Sequence, residues 1–253
     1  MKKFICILLI LAFLSVLGYC IWQIVGITDE YQAGEQAYEE LEQYIVMPET
    51  APVETTDTEE TVEAETAPVQ IQWPEVDFEA LAQVNSDIVG WLYIPGTVIN
   101  YPVVQGADNE YYLTHLFNGK TNSSGCIYLD CGAEGDFTSM NSVLHGHHMK
   151  NGSMFAGICK YKDQSYFDEH PTAMLLTPDG NYLVEFFSGY VCEVTADAWD
   201  YDFDEAWLDK RIRSSYFEAD AVPTTEDHIL TLSTCCYDFK DARFVLHGIL
   251  VPA

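Results

Sequence analysis

From Phe4 to Gly26 the chain carries no charged residue: "FICILLILAFLSVLGYCIWQIVG". At 1.5 Å of rise per residue this run makes roughly 34 Å of helix, enough to cross a hydrocarbon core of about 30 Å. Lys2 and Lys3 precede it, and Asp29 and Glu30 follow it. The excess of basic residues on the first side puts the N-terminus in the cytoplasm and the rest of the chain outside. A cleaved signal peptide has a shorter apolar region that ends in small residues. Here the run ends in "YCIWQIV", and bulky Tyr19 makes "LGYC" a poor lipoprotein cleavage signal. Residues 1–26 are therefore read as a cytoplasmic stub and an uncleaved, single-pass anchor in the cell membrane. Whatever folds must do so outside the cell.

Residues 27–46 continue with helical character. From 47 to 72 the composition changes to "MPETAPVETTDTEETVEAETAPVQIQ", with neither a basic nor an aromatic residue. A segment of this kind cannot bury enough apolar surface to offset its ordering entropy. Residues 27–75 are read as an acidic extracellular linker that holds a domain away from the membrane. Residues 76–253 are read as that domain.

The domain opens with helical spacing at Phe78, Leu81 and Val84, and a β-rich run begins at Ile88. Pro95-Gly96 marks a turn between two β-branched stretches. Pro178-Asp179-Gly180 tips a hairpin. "HILTLSTC" and "ARFVLHGILV" read as two further strands, and one helix is expected from Asp204 to Glu218. Many short strands with few helices predict a mainly β fold, a closed or nearly closed barrel.

The net charge is −29, from 40 acidic and 11 basic residues. Such a surface repels phosphate backbones, so no nucleic-acid partner is expected. In so acidic a chain the three arginines, Arg211, Arg213 and Arg243, stand out. Cysteines 126, 131, 159, 192, 235 and 236 lie beyond the anchor. In an extracellular domain these are read as disulfides, with Cys126–Cys131 a feasible pair, or as free thiols; both readings stay open. "VLHGHHMKNG" holds His145, His147 and His148. Three clustered histidines fit a metal- or haem-binding module, but no CxxC or HExxH motif accompanies them. No metal or other cofactor is therefore expected.

The competing chemistry is a Cys–His pair. A free thiol is only a few per cent thiolate at neutral pH, and a nearby imidazole or cation raises its reactivity. An arginine stays charged and can stabilise an oxyanion. If 228–234 and 242–251 pair as an antiparallel hairpin, Cys235 closes one strand and Arg243 opens the next, at the same end of the sheet. Alternation puts Thr231, Ser233 and Cys235 on one face and Leu230 and Leu232 on the other. Cys236 then points away from Cys235 or enters the loop.

Together these residues resemble the sortases, membrane-anchored cysteine transpeptidases of Gram-positive bacteria. "TLSTC" (231–235) is similar to the family signature that ends in the nucleophile, and Arg243 falls where the family has its arginine. "HGHHM" (145–149) is similar to the segment whose histidine directly after glycine is catalytic, which carries that role to His147. The order His, Cys, Arg is the family's. "DIVGWLYIPGTVINYPVVQGADNEYYL", "GCIYLD" and the helix before the last two strands resemble class B members. The resemblance implies an eight-stranded β-barrel with N-terminal helices and a helix between the sixth and seventh strands. It implies catalytic roles for His147, Cys235 and Arg243, and substrate contacts by Asn109, Leu113, Ser233 and Thr234. Two departures concern substrate contact: His145 stands where tyrosine is frequent, and Cys236 where an acidic or polar residue frequently follows the nucleophile.

The activity this implies is cleavage of a C-terminal sorting signal after threonine in a secreted protein. The new carboxyl is then joined to an amine of a peptidoglycan precursor or a pilin subunit. The alternatives are a cysteine endopeptidase with water as acceptor, and a metal- or haem-binding module built on His145–His148.

Overall fold

The structure, a computed structural model, describes residues 2–48 and 72–253. Most of the expected acidic spacer, residues 49–71, lies outside the described residues. Helix α1 (Lys2–Glu39) carries the uncharged run without a break. Large apolar side chains such as Leu9, Phe13 and Trp22 are exposed along it. One helix among the described residues is thus long and apolar enough to cross a membrane.

The same helix continues onto the folded domain. The Glu30 carbonyl accepts from Asn122 Nδ2 at 2.8 Å, and the Glu30 carboxylate from the Ser123 amide at 2.9 Å. Tyr38 donates its hydroxyl to the Gly125 carbonyl and packs edge-on against Tyr101. A 3-10 turn (Glu40–Tyr44) and a short strand β1 (Ile45–Val46) follow. β1 pairs antiparallel with β2 (Glu75–Val76). Leu41 and Ile45 are buried in one apolar cluster with Leu81, Trp91 and Phe117. The stretch 30–46, assigned to the linker by composition, therefore packs against the barrel.

Helix α2 (Phe78–Val84) is capped by Asp77, whose carboxylate accepts from the Ala80 amide at 2.9 Å. Six strands follow before α4 (Glu205–Ser214): β3 (Ile88–Tyr93), β4 (Asn100–Val104), β5 (Ile127–Leu129), β6 (Asn141–His145), β7 (Thr172–Thr177) and β8 (Gly180–Glu193). Helix α3 (Gln164–Glu169) precedes β7, and α4 follows β8. Strands β9 (Ile229–Cys235) and β10 (Ala242–Pro252) end the chain. The barrel closes in the order β10-β8-β7-β3-β4-β5-β6-β9. Eight strands close it, as the resemblance implies, and α4 lies between the sixth and seventh of them.

The expected helix over 204–218 is shorter at its C-terminal end. Ser215 turns extended, and the Tyr216 amide is recruited by the Gly189 carbonyl at 2.8 Å. Phe217 leaves the helix and stacks on Phe167 at 4.1 Å. Two arginines find local roles. Arg213 pairs with Asp209 on the surface. Arg211 is buried, donates to the Asp197 carbonyl and carboxylate, and lies 4.1 Å over the Trp207 ring. Cysteines 126, 131, 159, 192, 235 and 236 are all free thiols. The feasible Cys126–Cys131 bridge is absent: Cys126 is buried beside Tyr38, and Cys131 is exposed on the loop after β5.

Two ladders are parallel, β4–β5 and β6–β9; the other barrel pairs are antiparallel. In the second, His145 lies opposite Ser233. The Gly146 amide then donates to the Ser233 carbonyl at 3.1 Å, and the Thr234 hydroxyl donates to the Gly146 carbonyl at 2.7 Å. A Cβ at Gly146 would meet Ile127 Cδ1 at 2.5 Å and Phe155 ring carbons at 2.7 Å. Glycine is required there by close approach. Inside the barrel wall, Thr231 donates to Asn141 at 2.6 Å, while His247 contacts Thr231 at 2.8 Å and the Tyr190 hydroxyl at 3.2 Å. Burial, and secondarily the Arg211 charge, push the His247 pKa from 6.5 down to about 3.

Two outcomes follow for stability. Overpacking by Gly146→Ala is expected to cost about 1–3 kcal/mol, read from urea unfolding. His247 stays neutral in the fold, whereas the unfolded chain protonates it below about pH 6.5. Its contribution is complete above that pH and is lost as the pH falls from 6.5 towards 3. Unfolding midpoints at pH 7, 6 and 5 should therefore decline more steeply for the wild type than for His247→Phe. The limiting slope is about 1.4 kcal/mol per pH unit for one proton.

Candidate active site

The parallel register of β6 and β9 determines what meets at their ends. His145 and Ser233 are the last partners of this ladder, and His147 and Cys235, each two positions further along, both line the cavity at that end. On the other flank of β9, Arg243 is the direct antiparallel partner of Cys235. His147, Cys235 and Arg243 line one open cavity of about 320 Å³. Leu113, Tyr128, His145, Gly146, Val194, Trp199, Ser233 and Thr234 complete its wall. All three candidate catalytic residues are partly exposed, so a substrate can reach them.

Each side chain has a definite support. The His147 Nε2 nitrogen lies 2.8 Å from the Leu113 carbonyl. A carbonyl only accepts, so Nε2 carries the proton and Nδ1 is the ring's remaining nitrogen. His148 turns away: its Nδ1 lies 2.9 Å from the Cys235 carbonyl and its ring packs on Tyr237. His145 Nε2 lies 3.0 Å from Asp130 Oδ2. The three imidazoles thus take three different partners, and no group of metal-ligating side chains is found among the described residues. Arg243 donates to the Ala242 carbonyl at 3.1 Å.

The thiols separate by environment. Burial pushes Cys126 and Cys159 up to about 12, and Cys192 and Cys236 up to about 11. Such thiols stay protonated at neutral pH and are poor nucleophiles. Cys236 packs in the main core cluster, facing away from the cavity that Cys235 lines.

Of the expected substrate-contacting residues, Leu113, Ser233 and Thr234 line the cavity. Thr234 is buried, with its hydroxyl committed to Gly146. Asn109 is not in the cavity wall: its amide donates to Asp130 at 2.9 Å, and its carbonyl accepts from the Cys131 amide at 2.9 Å. It braces the loop after β5.

Sequence reasoning missed Tyr128, Val194 and Trp199, and it set His145 aside. Trp199 comes from a 3-10 turn (Asp197–Trp199) and donates its indole N–H to Ser233 Oγ at 3.0 Å. Arg211 and Lys210 of α4 hold that turn through Asp197. Tyr128 is opposite His145, which is opposite Ser233, so the three form a row across β5, β6 and β9. The signal for Tyr128 was its alternation in "GCIYLD", which becomes readable only with the neighbouring strand known.

No family model matches the chain. Sortase B of Listeria monocytogenes is 37% identical over 180 residues, covering 68% of this chain and 72% of the relative. Among solved structures, sortase B of Bacillus anthracis in complex with AAEK1 is 30% identical with a TM-score of 0.72, covering 89% of this chain and all of that one. A Staphylococcus aureus sortase B–substrate complex is 32% identical with a TM-score of 0.66, covering 70% and 85%. Sequence, barrel topology and a cavity shared by cysteine, histidine and arginine agree: the chain belongs to the sortase B family of cysteine transpeptidases.

Proposed function

We propose that the protein cleaves the C-terminal sorting signal of secreted proteins after threonine and transfers the new acyl group to an amine. That amine belongs to a peptidoglycan precursor or a pilin subunit. The observation that supports this reading is the convergence of Cys235, His147 and Arg243 on one accessible cavity. In the reaction, the Cys235 thiol gives its proton to His147 Nδ1 and its sulfur attacks the threonine carbonyl carbon. The carbonyl oxygen becomes negative, and the Arg243 guanidinium stabilises it. His147 gives a proton to the departing amide nitrogen, the C–N bond breaks, and a thioester to Cys235 remains. The incoming amine attacks that thioester, His147 takes its proton, and the C–S bond breaks to restore the thiolate. With Nε2 on the Leu113 carbonyl, Nδ1 is the nitrogen that exchanges these protons.

Phe4–Gly26 acts as the anchor, with Lys2 and Lys3 in the cytoplasm and the barrel outside. An enzyme tethered to the membrane searches a surface rather than a volume for substrates that emerge from it, which raises their effective concentration.

The test is mass spectrometry of the protein incubated with a peptide library that fixes threonine before the scissile bond. A mass increase matching the acyl fragment is expected on the wild type and on Cys236→Ser, and is absent from Cys235→Ala. Turnover by Cys235→Ala should fall at least about a thousandfold. Added amine should convert the product from a free acid to an amide. An acyl-enzyme on Cys235→Ala would rule out Cys235 as nucleophile. An acid product at every amine concentration would make the protein a hydrolase instead.

A further inference from the structure

The row Tyr128–His145–Ser233 crosses the cavity wall beneath Cys235, and one member holds a polar group that the chemistry above does not use. Asp130 accepts from four donors: His145 Nε2 at 3.0 Å, Tyr201 hydroxyl at 2.5 Å, the Gly132 amide at 3.0 Å and Asn109 Nδ2 at 2.9 Å. Burial raises the Asp130 pKa, but the bonds from His145, Tyr201, Gly132 and Asn109 outweigh it and hold the carboxyl well below its usual range. An ionised carboxylate only accepts, so His145 Nε2 is the donor. Nδ1 has no hydrogen-bond partner among the described residues. The ring is oriented on its other side by Tyr128, at 5.1 Å between centroids. Its side chain is 24% exposed, that of Asp130 14%. A polar atom on a ring held by two neighbours, in the wall of a reaction cavity, is the arrangement of a reading group rather than a filler. The rest of the wall near it is Leu113, Tyr128, Val194 and Trp199.

We propose that His145, oriented by Asp130, is a specificity-determining residue that hydrogen-bonds through Nδ1 to a polar side chain of the sorting peptide. This inference rests on the transpeptidase reading above and adds which part of the peptide the enzyme reads. His145 takes no part in bond making; Asp130 is a positioning residue that acts through it. A site built to hydrogen-bond a substrate group discriminates against substrates that lack it.

The experiment is a double-mutant cycle between enzyme and peptide. Quenched fluorescent peptides fix threonine before the scissile bond and carry Asn, Gln, Ser, Lys or Ala at each position upstream. For the wild type, one position is expected to favour a polar side chain over Ala by about three- to tenfold in kcat/KM. For His145→Phe, which keeps a ring against Tyr128, that preference should fall below twofold, with the loss carried by KM. His145→Gln, which retains a polar side chain, should recover part of it, and Asp130→Leu should lower it as His145→Phe does. Urea midpoints report folding, and the Gln variant keeps the test decisive should Phe not fold. A preference profile unchanged in His145→Phe or His145→Gln overturns the proposal while leaving the transpeptidase reading intact. A wild type that forms no acyl-enzyme with any library peptide overturns both.

Discussion

The site depends on the parallel ladder between β6 and β9. A hairpin delivers neighbours cheaply, because the turn brings its own strands together. A parallel pair must wait for a long crossover, here everything from Gly146 to His228, including the β7–β8 hairpin, α3 and α4. The loop-closure entropy of that crossover has to be recovered from burial elsewhere in the barrel. Once His145 faces Ser233, two further residues on each strand suffice to bring His147 and Cys235 to one cavity. A slip by one residue would turn Cys235 into the core and Cys236 into the cavity. Leu230 and Leu232 resist this, as both are fully buried and would have to change faces.

The reaction cavity is assembled from supports that are themselves buried or charged. Arg211 holds Asp197, the turn at Asp197 carries Trp199, and Trp199 bonds Ser233, two residues before Cys235. Just past the neighbouring strand β5, Asp130 holds His145, Asn109 and Tyr201 together. Of the three arginines, Arg211 and Arg213 each pair with a carboxylate. Arg243 differs: among the described residues it donates to the backbone carbonyl of Ala242 and forms no salt bridge. No carboxylate neutralises its charge among the described residues, which leaves it free for the oxyanion of the proposed reaction.

How much was legible beforehand follows from contact distance along the chain. The β9–β10 hairpin spans few residues, so the pairing of Cys235 with Arg243 could be reasoned from alternation and adjacency. The same alternation left two places for Cys236, facing away from Cys235 or in the loop, and the structure buries it in the core. The helix after β8 was visible from its apolar spacing, but its end was not, because Gly189 competes for the Tyr216 amide from another strand. Trp199 reaches the site through a long loop that no local pattern marks, and the alternation that carries Tyr128 becomes readable only once β5 is paired with β6. Asn109 resembles a cavity residue by its motif and instead braces Asp130. Only the packed neighbours show which of its possible hydrogen bonds are already satisfied.

The two-residue pairing of Ile45–Val46 with Glu75–Val76 alters the mechanical picture of the acidic segment. A segment that separates two bodies transmits force between them and sets their spacing by its contour length. Here both ends of that segment are held next to each other on the barrel side, so its length drops out of the spacing. The rigid element is α1, which is bonded to the barrel from Glu30 onward. Four residues of helix, roughly 6 Å, separate that bond from Gly26. With Phe4–Gly26 in a bilayer, the barrel would ride at the membrane surface as if on a short strut. Lengthening or trimming the acidic excursion would then leave its height and orientation unchanged, whereas inserting residues into the helix would rotate it by about 100° per residue.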